Sequence, residues 1–81
     1  MADSGIEEAK RKYIGRPLLD VRSDVEASGG VVVVTCTDDK CFMRARRTKF
    51  VSGTRVFLVK TTTKRGGHET VSDVESVYVE K

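Results

Sequence analysis

The sequence predicts a small, mainly β domain of the α+β class, a five-stranded antiparallel barrel of the OB or SH3-like kind with an N-terminal helix. Three observations carry this expectation. Apolar residues cluster in short β-branched runs, of which Val31-Val32-Val33-Val34 is the densest. Polar, glycine-bearing turns separate those runs every five to nine residues or so. Helical spacing is confined to the first fourteen residues. At 81 residues the chain is a single domain, helix over 4–14 and β-rich over 17–81.

Ser4 with Glu7 three residues on matches a capping box, in which hydroxyl and carboxylate each satisfy an otherwise unpaired N–H. Glu7–Arg11 and Glu8–Lys12 are spaced i,i+4, and Lys10, Arg11 and Lys12 crowd the end where the helix dipole favours cations. Ile6, Ala9, Tyr13 and Ile14 form one apolar stripe, and Gly15 and Pro17 end the helix.

Beyond Pro17, Leu19, Val21 and Val25 alternate with Asp20, Arg22 and Asp24, as in a half-buried strand. After the turn Ser28-Gly29-Gly30, the run Val31 to Cys36 reads as the central strand. Thr37-Asp38-Asp39-Lys40 reads as a hairpin turn and Cys41 to Arg47 as the returning strand. Val51-Ser52-Gly53 turns the chain into Thr54 to Thr62, Lys64 to His68 makes a flexible tip, and Val71 to Val79 closes the sheet. An αβ-sandwich, one helix packed on an open sheet, is the alternative architecture.

The step from Val31–Cys36 through Cys41–Arg47 to Ser52-Gly53-Thr54-Arg55-Val56 resembles the OB barrels of bacterial translation initiation factors. It is similar, too, to the soluble barrel of NfeD-type membrane-associated proteins, in which a Gly-Thr-basic-Val step opens a late strand. Each resemblance covers about half of the chain and rests on barrel grammar, and no functional residue is carried across from either.

Charge supplies the functional expectation. From Lys40 to His68 there are nine basic residues and no acidic one, so this block carries +9 against −6 for the rest of the chain. In a strand over 41–46, Cys41, Met43 and Ala45 face the core, leaving Phe42, Arg44 and Arg46 outward. In the next strand one register places Val56 and Leu58 inward with Arg55 and Phe57 outward; the other turns Phe57 inward with Val59. Outward rings beside cations suit single-stranded nucleic acid, because bases stack on the rings and cations neutralise phosphates. The predicted nucleic-acid-binding set is therefore Phe42, Arg44, Arg46, Arg47, Arg55, Phe57, Lys64 and Arg65. A solvated basic face that blunts a sheet edge is the plain alternative. An acidic protein partner is the second functional reading, and a thin core also invites homodimerisation.

Enzymatic chemistry finds little foothold. His68 is the only histidine and follows two glycines, with no nucleophile or orienting acid implied by spacing, so it reads as a loop residue. Asp38-Asp39 suits a turn. No Walker, Gly-x-Ser-x-Gly or His-Glu-x-x-His motif occurs, and no cofactor or metal is expected. Cys36 and Cys41 flank the predicted hairpin turn; reduced thiols are the expectation, with a disulfide or a metal pair as alternatives. No apolar run is long enough for a membrane span and the first residues do not read as a secretory signal, so a cytoplasmic location is expected.

Overall fold

A computed structural model describes residues 5–37 and 49–81 of the chain. In order these form helix α1 (Ile6–Tyr13), helix α2 (Leu18–Ala27), strand β1 (Val31–Thr37), strand β2 (Arg55–Thr63), a 3-10 turn (Arg65–Gly67) and strand β3 (Glu69–Val79). The architecture is α+β: two helices lie on a three-stranded open sheet of order β1-β2-β3. It is no closed barrel, and five strands are not present among the described residues. The open-sheet alternative is the better description.

α1 follows the sequence expectation with a different cap. Its N-cap is Gly5 at φ 92°, a left-handed conformation glycine adopts without steric cost. Ser4 itself lies outside the described residues. Nor do the cations pair along the helix: Lys12 reaches Asp24 of α2 and Lys10 reaches Asp73 of β3, each at 3.6 Å. Both ion pairs tie α1 to its neighbours.

The expected strand at 19–25 is helix α2. Pro17 stands at its N-cap and starts a helix here, since proline's fixed φ suits a helix entry and its missing N–H has no helical partner to lose there. Burial then follows a helical period: Leu18, Val21 and Val25 are buried, while Leu19, which the alternating pattern turned inward, is 74% exposed. The helix stops at Ser28, and Gly30 sends the chain into β1. A Cβ on Gly30 would lie 2.9 Å from both the Arg55 carbonyl oxygen and Val25 Cγ1, so this crossing of α2 over the sheet needs glycine.

β1 pairs with β2 in parallel, with Val32 opposite Phe57 and Val34 opposite Val59. Among the described residues β2 is the central strand, with β1 and β3 on either side of it. This parallel pairing puts Thr37 and Arg55 at opposite ends of the sheet. Residues 38–40 of the expected hairpin turn lie outside the described residues. The predicted return strand Cys41–Arg47 lies outside the described residues. β2 and β3 form an antiparallel hairpin with bulges at Leu58/Val59 and Lys60/Thr61. Its connection is a hydrogen-bonded 3-10 turn: Gly67 donates to the Lys64 carbonyl at 3.0 Å and Lys64 donates to that of His68 at 2.6 Å.

One face of the sheet carries the core. Ala9, Tyr13, Leu18, Val21 and Val25 from the helices close on Val32, Phe57, Val59, Val71 and Val74. Side chains of this size contribute about 1.5–3 kcal/mol each on full burial. Tyr13 meets Phe57 edge to face, with centroids 6.1 Å apart. Thr61, the buried polar residue among them, donates its hydroxyl to Thr37 Oγ1 at 3.3 Å. The outward register expected for Phe57 is thus corrected, because its ring is the floor beneath Tyr13. Val56, on the opposite face, is fully buried as well.

Candidate interaction surface

The described members of the predicted nucleic-acid set do not converge. Arg55 opens β2 and is exposed, whereas Lys64 and Arg65, also exposed, follow the far end of the same strand. Nine residues of strand at ~3.3 Å each separate them by roughly 30 Å. Phe57 is 8% exposed and offers no face on which a base could stack. Phe42, Arg44, Arg46 and Arg47 lie outside the described residues.

Arg55 lies over the Phe57 ring, its guanidinium carbon 5.3 Å from the centroid. It extends toward α1, where a Cβ on Gly5 would sit 2.8 Å from Arg55 Nη2. Here the start of β2 meets both helices around a cleft of about 180 Å³, whose lining includes Glu8, Lys12, Tyr13, Ser28 and Arg55. The cleft is small beside the ~300–1,000 Å³ of ordinary ligand pockets.

Its chemistry is that of a clamp. The Tyr13 hydroxyl donates to Asp24 Oδ2 at 2.6 Å, and Lys12 Nζ lies 5.4 Å from the Tyr13 ring centroid. Burial of the phenol, followed by the bond to the Asp24 carboxylate, pushes the Tyr13 pKa up to about 12. The same bond, aided by Lys12, holds the Asp24 carboxyl below its ordinary value. A phenol so held is a permanent donor near neutral pH and a poor base. Among the described residues no three His, Cys, Asp or Glu side chains stand together as metal ligands.

At the same end of the sheet, and missed by the sequence reading, are exposed apolar side chains. Gly53 donates to the Glu80 carbonyl and Glu80 donates to that of Thr54, both at 2.8 Å, which ties the turn before β2 to the residues after β3. That turn presents Val51, 79% exposed, and β3 ends on Tyr78 and Val79, the latter 56% exposed. Exposed Lys49 and Arg55 flank the turn in sequence. An apolar residue inside a glycine turn was the available signal, since such turns ordinarily carry polar residues.

Cys36 is disulfide-bonded, which corrects the expectation of reduced thiols. The chain's one other cysteine, Cys41, lies outside the described residues. No helix among the described residues is long and apolar enough to cross a membrane.

Fold and surface together define a small α+β domain with two helices on one face of a mixed three-stranded sheet. Comparison with protein-family models, characterised proteins and solved structures finds no match.

Proposed function

We infer that the domain is a non-enzymatic binding module that docks an acidic protein partner through the end of the sheet where β2 begins and β3 finishes. The observation that carries this reading is the exposure of Val51, Tyr78 and Val79 at one end of the sheet, beside Arg55 and Lys49. Water-facing apolar side chains with neighbouring tyrosine and arginine are the composition of protein-binding surfaces, and the cations favour a partner with acidic residues around its contact.

Nucleic acid is the second reading, supported by the nine basic residues without an acid between Lys40 and His68. Of its two ingredients it keeps the cations and loses Phe57 as a stacking platform.

One experiment addresses both. The immobilised chain is offered nuclease-treated extract, and the Val51→Asp/Val79→Asp and Lys64→Ser/Arg65→Ser variants are compared with it. Proteins retained by the parent chain and by the second variant, and lost with the first, support the protein-docking surface. Retention that both variants leave unchanged overturns it. Salt-sensitive binding of a labelled oligonucleotide in fluorescence anisotropy, weakened in the Lys64/Arg65 variant, would favour nucleic acid instead.

A further inference from the structure

Strand β1 has two parts, divided by the irregularity in its ladder between Val34 and Cys36. The first part is anchored: Val32 belongs to the helix-covered core and Val34 packs against it. Thr35 marks the division, its hydroxyl 2.8 Å from Glu75 Oε1 on β3 and 3.2 Å from the Val59 carbonyl oxygen on β2. Beyond it, neither Cys36 nor Thr37 belongs to the apolar core. They pair with Lys60 and Thr61, and Thr37 Oγ1 accepts the bond from the buried Thr61 hydroxyl. The remaining tie is covalent. Cys36 is disulfide-bonded and Cys41 is the chain's one other cysteine, so the bond closes a ring over the four residues 37–40.

A bond between residues so close in sequence does little for global stability, because a disulfide constrains the unfolded chain more as its loop lengthens. Cys36 is half-buried and not sealed in the core, and its ladder partner is Lys60. A cation beside a partly exposed cysteine favours the thiolate, the form that enters thiol–disulfide exchange. We propose that Cys36 and Cys41 form a reversible dithiol–disulfide couple whose redox state sets the order of the end of β1. Reduction by a dithiol breaks the S–S bond. Two electrons and two protons pass to the cysteine sulfurs, and the reductant leaves as its own disulfide. Thr37 is then released from the ring, and the ladder frays back to Thr35, where the hydrogen-bonded irregularity stops it. The Thr61 hydroxyl exchanges its partner for water. This end of the sheet is the one opposite Arg55, so the proposal does not rest on the docking surface and its test involves no partner.

Amide hydrogen exchange followed by NMR compares the oxidised full chain with the same chain reduced by dithiothreitol. The reduced chain should stay folded, with protection kept over residues 32–34, 56–59 and 71–74 and lost over residues 36–37. Oxidised glutathione should restore that protection, and Cys41→Ser should show the reduced pattern without any reductant. Loss of protection across the whole sheet on reduction would make the bond a structural staple and overturn the proposal. Identical protection in the two forms overturns it too, as does a reduced chain that oxidised glutathione joins into disulfide-linked dimers. Should Cys41→Ser fail to fold, the reduced parent, which carries no substitution, decides.

Discussion

Tyr13 on α1 donates its hydroxyl proton to the carboxylate of Asp24 on α2 at 2.6 Å, while the same ring stands edge-on to Phe57 in the central strand. One side chain therefore fixes both helices to each other and to the sheet. Tyr13→Phe removes the hydroxyl and keeps the ring contact. The thermal midpoint is expected to fall by a few degrees, with the chemical shift of the Asp24 carboxyl reporting a pKa that rises toward the ordinary aspartate value. An unchanged midpoint and an unmoved Asp24 would show that the bond does not hold the helices together.

The same pair sets the pH limits of the fold. Asp24 has a lowered pKa in the folded chain, so its contribution is present above the ordinary aspartate pKa and is lost as pH falls through the depressed value. Tyr13 behaves in the opposite sense. Its folded pKa of about 12 lies above the ordinary 10.0, so its contribution is full below pH 10.0 and disappears as pH climbs from there to about 12. Tyrosinate absorbance of the folded chain should show one phenol resisting ionisation to about pH 12, and Tyr13→Phe should remove that late titration. Early ionisation of both tyrosines would contradict it.

Gly30→Ala tests how closely α2 crosses the sheet. The added methyl meets the Arg55 carbonyl oxygen and Val25 Cγ1 at 2.9 Å, and the first of these is backbone of the central strand. Relief requires the strand or the helix to move, which by analogy with overpacked cores costs about 1–3 kcal/mol. A lowered urea midpoint with an unchanged m-value is the expected result. A midpoint equal to that of the parent chain would show that the crossing is looser than 2.9 Å implies.

The parts of this fold that were legible in the sequence are those fixed by neighbours in the chain. α1 was announced by Glu7 and Glu8 at one end and three cations at the other, and β3 by its Val71–Val79 run. The direction of pairing was not legible, because four consecutive valines suit a parallel ladder as well as an antiparallel one. Parallel pairing of β1 with β2 depends on residues more than twenty positions apart, as in Val31 and Val56. The site suffered from a local ambiguity. Val56 and Phe57 are adjacent and both buried, so two-residue alternation could not reveal which one faced the helices. The exposure of Arg55 was legible, because a charge at the start of a strand stays in water in either register.

The misread segment offers the sharpest check on the architecture. In the strand reading Leu19 faces inward, and losing it would cost core packing. In helix α2 it is Leu18, Val21 and Val25 that share the buried stripe, and Leu19 stands 74% exposed. Leu18→Ala should therefore destabilise the domain by about 2–5 kcal/mol, the range for truncating a buried leucine. Leu19→Ser should stay within about 0.5 kcal/mol, as surface changes do. Both values come from denaturant melts, and comparing them cancels most of the uncertainty about the unfolded chain. The reverse order, with Leu19 costly and Leu18 neutral, would return residues 18–27 to the sheet and remove the helix from which Asp24 meets Tyr13.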